Sequence, residues 1–273
     1  MTRQPRSYLF VPAERPDRIA KALASGADAV ICDLEDAVAP AAKPAARQAL
    51  ADWLARAGGA PLRPLIVRIN SVGSEWFDDD LALCKTPGVQ AVMLPKAERA
   101  DDIAHVAAAT GKPVIALVET AAGMDELRAV ARAPGVVRLA FGSIDFQLDL
   151  GIAGDGDALL AFRSQLVLAS RVAGLAPPID GVSTSIGDTA AVSTDAQRAR
   201  RLGFGAKLCI HPTQVQAVND AFSPSADELA WAHQVVDAMR DAGGAAVAVD
   251  GKMVDRPVRL RAEALLRQAG QLP

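Results

Sequence analysis

The sequence predicts a (β/α)8 TIM barrel carrying a C-terminal extension of helices and a hairpin, and three observations lead there. Eight short apolar or β-branched runs recur along the chain, each followed by a longer stretch with helical periodicity, the pattern of repeated βα units on a parallel sheet. The 273 residues are 51% hydrophobic yet only 4% aromatic, so interior volume must come from Ala, Val, Leu and Ile, as repetitive α/β packing requires. The first run ends in Pro12-Ala13-Glu14-Arg15, without the G-x-G-x-x-G turn that an open doubly wound sheet usually places after its first strand.

Taken in order, strands are expected at 8–11, 29–34, 65–70, 91–95, 114–119, 137–142, 179–183 and 207–211. Helical periodicity places helices near 16–24, 43–56, 75–84, 99–109, 122–132, 157–173 and 194–202, with an eighth beginning at Pro212. The repeat then stops. Ser225 and Glu228 form a capping box before a helix that Gly243-Gly244 ends, Asp250-Gly251 between alternating apolar residues marks a two-residue hairpin, and Pro257 opens a terminal helix. The expected organisation is a barrel over 1–222 and an extension over 223–273. A closed barrel has no sheet edge to offer such an appendage, so the extension is expected to pack on a neighbouring subunit.

Charge and composition narrow the function. The net charge of -3 arises from 29 basic and 32 acidic residues scattered along the chain, with no basic block to track a phosphate backbone, so nucleic acid is excluded as a partner. No apolar stretch approaches the roughly 20 residues of a bilayer-spanning helix, and MTRQPRSYLF lacks the apolar core of a secretory signal. No membrane partner and a cytoplasmic location are expected. Cys32, Cys84 and Cys209 form no C-x-x-C pair and are read as reduced packing residues.

Barrel chemistry sits at the C-terminal ends of the strands, and those ends are consistently polar. The second run ends Asp33-Leu34-Glu35-Asp36, the third Arg68-Ile69-Asn70, the fourth Pro95-Lys96, the fifth Glu119-Thr120 and the sixth Gly142-Ser143-Ile144-Asp145; the seventh carries Asp180-Gly181 and the eighth ends His211-Pro212. Singly, each is an ordinary loop residue or helix cap. Together they crowd like charges on one rim, at a cost that a bound cation or substrate would relieve. Glu119 and Asp145 stand one βα repeat apart, so their carboxylates should converge on adjacent strands, and an all-oxygen pair suits Mg²⁺. The competing role for Glu119 is capping the next helix. Arg68 is expected either to bind a substrate carboxylate through two parallel hydrogen bonds or to pair with Asp33 or Glu35. Lys96 is open to Schiff-base chemistry or to pairing with the acidic rim. His211 is as well placed to order a turn as to catalyse, and Asp255 reads as a helix N-cap.

The stretches RSYLFVPAERPDR, ADAVICDLEDAVAPAAKPAAR, VRIN, VMLPKAE, ALVETAAG, FGSIDFQLDLG, AKLCIHPTQV and GKMVDRPV stand in an order and spacing that resemble the citrate lyase β-subunit-like and malyl-CoA lyase family, within the HpcH/HpaI aldolase superfamily. The resemblance spans nearly the whole chain. It implies a (β/α)8 barrel, a homotrimer or hexamer, that uses Mg²⁺ to cleave or form a carbon–carbon bond of a 3-hydroxyacyl-CoA such as citryl-, citramalyl- or malyl-CoA, giving a 2-oxo acid and an acyl-CoA. It places the metal pair on Glu119 and Asp145, the substrate-binding arginine on Arg68, the acidic loop on Asp33, Glu35 and Asp36, and an acid or base from a neighbouring subunit on Asp255. It also puts Lys43 and Arg47 near the CoA phosphates. The chain departs from the family at Val182-Ser183-Thr184-Ser185, where an acidic position has become hydroxylic. Two rival readings remain: a metal-free Schiff-base aldolase using Lys96, and a CoA-ester-binding protein without turnover.

Overall fold

The computed structural model describes residues 4–57, 63–243 and 245–272. Its first half alternates β1 (Ser7–Pro12), α1 (Pro16–Ala24), β2 (Ala29–Asp33), α2 (Lys43–Ala57), β3 (Leu65–Arg68), α3 (Phe77–Cys84), β4 (Ala91–Leu94) and α4 (Ala100–Thr110). The second half continues with β5 (Val114–Val118), α5 (Ala121–Asp125), α6 (Leu127–Ala131), β6 (Val136–Phe141), α7 (Ser143–Leu150), α8 (Leu160–Val172), β7 (Ile179–Asp180), α9 (Thr189–Leu202), β8 (Ala206–Cys209) and α10 (Thr213–Ala221). The eight strands are parallel, pair in sequence order and close where β1 meets β8, so the expected barrel is the observed one.

Alternate residues point inward and fill the barrel. Tyr8, Ile31, Ile66, Met93, Ile115, Leu117, Ile179 and Leu208 form one buried cluster, while Val30, Val67 and Val92 face the helices. Observed strands stop one to three residues short of the apolar runs from β2 to β8. One helix expected over 122–132 is two, broken at Glu126. The expectation for 157–173 resolves into a 3-10 turn over Gly156–Leu159 followed by α8. The short helix α7 went unread in the sequence.

Strand β7 is two residues long, against the five expected, and a buried charge network holds it. Asp180 accepts from Arg163 Nε (2.8 Å) and Lys207 Nζ (3.3 Å); Lys207 also donates to Gly181 O (2.6 Å), and Arg163 pairs with Asp155. Arg163, Asp180 and Lys207 are all buried. Side chains thus replace the ladder hydrogen bonds that so short a strand lacks.

Close contacts divide the chain into Gln4–Asn219 and a unit over Asp220–Pro273. In the latter, α11 (Ala226–Asp241) begins with the expected capping box: Glu228 N–H donates to Ser225 Oγ (3.1 Å) and Ser225 N–H to the Glu228 carboxylate (2.8 Å). Gly243 follows the end of α11, and Gly244 lies outside the described residues. Strands β9 (Val247–Val249) and β10 (Lys252–Val254) pair antiparallel across Asp250 (φ +49°) and Gly251 (φ +73°), the two left-handed positions of a tight hairpin turn. α12 (Arg256–Gln268) packs on α11 through Ala232, Val235, Met239, Ala262 and Leu266. Among the described residues no helix is long and apolar enough to cross a membrane.

Replacing Asp180 with Ala strands two buried cations at β7, and about 3–5 kcal/mol of unfolding free energy should be lost. Urea denaturation reads it; a loss below about 1 kcal/mol would show that the network does not hold the strand.

Candidate active site at the barrel mouth

A cavity of about 430 Å³ opens at the C-terminal ends of the strands. Asp33 and Asp36, Arg68, Glu119, Ser143 and Asp145 give it polar walls, and Phe10, Leu117, Phe141, Val182, Leu208 and Ile210 give it apolar ones.

Arg68, the last residue of β3, is 8% exposed and ties the acidic loop together. Its Nε and Nη2 donate to the two oxygens of Asp33 (2.7 and 2.6 Å), while Nη1 lies 2.9 Å from Glu35 Oε2 and 3.5 Å from Asp36 Oδ2. Burial works against its charge, but the Asp33 hydrogen bonds and the three carboxylates more than compensate and hold its pKa above the ordinary value. Of the two roles open to Arg68 in the sequence, pairing with Asp33 and Glu35 is the one formed, and Arg68 also lines the cavity. Asp33 also accepts from the N–H groups of Glu35 (3.0 Å) and Ala37 (3.2 Å), folding the loop after β2 back on itself.

Behind this loop runs a second buried lattice. Lys43, at the start of α2, donates to Leu34 O (2.8 Å), Glu35 O (2.7 Å) and Asn70 Oδ1 (2.6 Å). Asn70 in turn donates to Leu34 O and Asp80, and Arg47 donates to Asp80 Oδ1 (2.8 Å) and Asp79 (3.0 Å). The resemblance puts Lys43 and Arg47 near the CoA phosphates; within the chain these are the partners they meet. All three ammonium protons of a buried Lys43 have acceptors, and the Arg47 guanidinium is committed to two aspartates.

Glu119 follows β5 and is 2% exposed. It does not cap the next helix: Thr120 does, its Oγ1 accepting from Gly123 N–H (3.1 Å). One Glu119 oxygen, Oε1, accepts from the Lys96 N–H (2.8 Å). The Lys96 backbone is left-handed (φ +47°), a conformation that costs energy for a residue with a Cβ. The other oxygen, Oε2, lies against Gly142, where an added Cβ would overlap both it and the Glu119 Cβ. Burial, with repulsion from Glu35 next and Asp145 contributing, pushes the Glu119 carboxyl up to about 8. Glu35 is also raised, chiefly by burial.

Asp145 sits in the first turn of α7, two residues after Ser143. Ser143 is 1% exposed in the cavity wall, and its Oγ has no hydrogen-bond partner. Gly181 makes the room for it, since a Cβ there would overlap that hydroxyl. The Lys96 ammonium pairs with Glu35 Oε1 (3.3 Å). Burial disfavours its charge, yet Glu35 and Glu119 raise its pKa overall, the reverse of what a Schiff-base lysine needs. His211 Nδ1 is 2.8 Å from Thr213 Oγ1, a turn contact. Asp255 caps α12, accepting from Val258 N–H (3.3 Å).

The sequence brought Asp33, Glu35, Asp36, Arg68, Glu119 and Asp145 to one rim, and the structure gathers them there. Gly142, Ser143 and Gly181 stood among the strand-end residues without these particular contacts, and the part of the Lys96 N–H went unread, because such roles depend on shape and backbone direction rather than residue type. Among the described residues no cluster of three or more His, Cys, Asp and Glu surrounds one point. Glu119 and Asp145 stand in one cavity wall as oxygen donors, and a pair of carboxylates completed by water and substrate oxygens is the coordination Mg²⁺ prefers. The raised Glu119 carboxyl and its bare Oε2 beside Gly142 fit that use.

A family pattern described as HpcH/HpaI aldolase/citrate lyase matches residues 6–212. The chain is 41% identical to the citrate lyase subunit beta-like protein of Mycobacterium tuberculosis, over 97% of this chain and 95% of that one. It is 35% identical to a (3S)-malyl-CoA thioesterase of Cereibacter sphaeroides, over 92% and 89%. The crystal structure of CitE from M. tuberculosis in complex with magnesium, acetoacetate and coenzyme A superposes with a TM-score of 0.87 at 40% identity, covering 98% of this chain and 99% of that one.

A raised carboxyl in the folded state has a stability signature. Glu119 is neutral folded and unfolded at low pH; above its ordinary value of 4.5 the unfolded chain ionises first, so stability falls as pH rises toward about 8 and then levels. Urea midpoints of the metal-free protein should show that decline, and Glu119→Gln should flatten it. An unchanged pH profile in the variant would place the raised group elsewhere.

Proposed function

The chain belongs to the HpcH/HpaI aldolase/citrate lyase family, and from that premise we propose that it is a Mg²⁺-dependent carbon–carbon lyase acting on a 3-hydroxyacyl-CoA. The observation that carries the reading is the pair Glu119 and Asp145 in the wall of one cavity, with Glu119 buried and its Oε2 beside Gly142.

Glu119 and Asp145 would hold the cation, which supplies positive charge against the oxyanion character that develops as the bond breaks. Arg68 orients the substrate carboxylate with an Nη N–H left over from Asp33 and Glu35, and those two acids fix the guanidinium plane. Asp36, at the exposed end of the loop, bounds the mouth on that side. Asp255 of the partner subunit takes the proton of the 3-hydroxyl group. The C2–C3 bond then breaks: C3 becomes the carbonyl of a 2-oxo acid, and the electron pair moves to C2 as the enolate of the acyl-CoA, which is protonated there. This reading takes the protein as a cytoplasmic homotrimer or hexamer.

The thioesterase among the relatives favours a second reading on the same site, attack of water at the thioester carbonyl. Products separate the two. A lyase yields an acyl-CoA and a 2-oxo acid; a thioesterase yields free CoA and a hydroxy acid.

Glu119→Ala and Asp145→Ala should each abolish Mg²⁺-dependent cleavage with the fold intact by circular dichroism. Gly142→Ala, which displaces the Glu119 carboxylate, should lower kcat by roughly a hundredfold or more. Full turnover in any of the three would contradict the metal assignment. Because the cation must displace the Glu119 proton, Mg²⁺ affinity measured by calorimetry should rise about tenfold per pH unit below pH 8 and level above it.

A further inference from the structure

The opposite end of the barrel holds a second cavity, of about 240 Å³, among the residues that open the strands. Tyr8 of β1, Ile66 of β3, Ala91 of β4, Ile115 of β5 and Arg138 of β6 line it, with Gln90 just before β4. It shares no described residue with the mouth. No Asp or Glu stands among its described lining residues.

Arg138 sets the chemistry of this cavity. Three arginines are buried among the described residues, and two of them hold carboxylates: Arg68 with Asp33, Glu35 and Asp36, and Arg163 with Asp155 and Asp180. Arg138, 2% exposed, has only neutral partners. Its Nε donates to Pro177 O (2.6 Å), and its Nη1 to Pro5 O (2.9 Å) and the Tyr8 hydroxyl (2.9 Å), while Nη2, beside Gly205, has no acceptor. A guanidinium taken out of water without an anion is costly, and an anion brought beside it offsets that cost.

Two further donors are left over. The Tyr8 oxygen accepts from Nη1, which polarises its own O–H, and that hydrogen has no acceptor among the described residues. Gln90 Oε1 is taken by the Leu65 N–H (2.6 Å), so the Gln90 amide offers its NH2 group. The wall between them is apolar, with Ile66, Ala91 and Ile115. One cation with two neutral donors matches one carboxylate, and the apolar wall matches a short hydrocarbon body. A phosphate would carry more charge than Arg138 balances and would leave oxygens against that wall. We propose that this cavity is a binding site for a short-chain monocarboxylate, separate from the mouth and independent of the lyase reading.

Sodium butyrate is the probe. Titrated into the metal-free full chain in a buffer without other carboxylates or phosphate, it should bind with a Kd of about 1 mM or tighter and raise the unfolding temperature. Neither binding heat nor a thermal shift at about 20 mM butyrate overturns the proposal. Tyr8→Phe removes one donor, and Gln90→Glu keeps an acceptor for Leu65 while setting a carboxylate in the cavity; each should weaken butyrate at least ~tenfold. Both changes are nearly isosteric, and circular dichroism checks the fold; if Tyr8→Phe does not fold, Gln90→Glu decides. An unchanged Kd in a folded variant places butyrate elsewhere and overturns the site. Inorganic phosphate should bind at least ~tenfold more weakly than butyrate, and phosphate bound as tightly overturns the monocarboxylate assignment.

Discussion

The salt bridge between Arg68 and Asp33 at the ends of β3 and β2 is the interaction on which the mouth depends. Neither partner is stable there alone: a buried carboxylate or guanidinium costs several kcal/mol unless paired with good geometry, and the two-point contact supplies that geometry. Once the pair forms, the loop from Asp33 to Asp36 has one path, with Glu35 drawn to the same guanidinium and Asp33 accepting from the loop's own N–H groups. The remaining carboxylates, Glu119 and Asp145, are left without that cation.

A second layer keeps the first in place. Lys43, Asn70, Asp80 and Arg47 form a buried lattice from α2, the loop after β3 and α3 that grips the carbonyls of Leu34 and Glu35. On the far side of the barrel, Arg163, Asp180 and Lys207 stand in for the ladder of a two-residue strand and hold Gly181, beside which the Ser143 hydroxyl is packed. Buried polar networks of this kind contribute little net stability but fix one arrangement, which is what a site with sub-ångström demands needs.

Much of this was legible in residue order. The parallel barrel followed from the alternation of short apolar runs with helical stretches, and the capping box at Ser225 and the hairpin at Asp250-Gly251 followed from local chemistry that the structure reproduces. The helix α7 was hidden because it opens directly on Gly142, the last residue of the sixth apolar run, and Asp145 was therefore read as a strand-end residue. Lys43 and Arg47 were placed near CoA phosphates by resemblance. Their side-chain partners within the chain, Asn70, Asp79 and Asp80, lie about thirty positions away, beyond the reach of any local pattern.

The sequence by itself determined the repeat, the barrel and the gathering of charged residue types at strand ends, because periodicity and the inside-outside preference of side chains are properties of short segments. Only the tertiary structure decided which of those charges neutralise one another. Barrel closure and strand register set the distances between Arg68 and Asp33, or between Lys96 and Glu119, and a difference of a few ångströms separates an ion pair from a free carboxylate able to hold a cation.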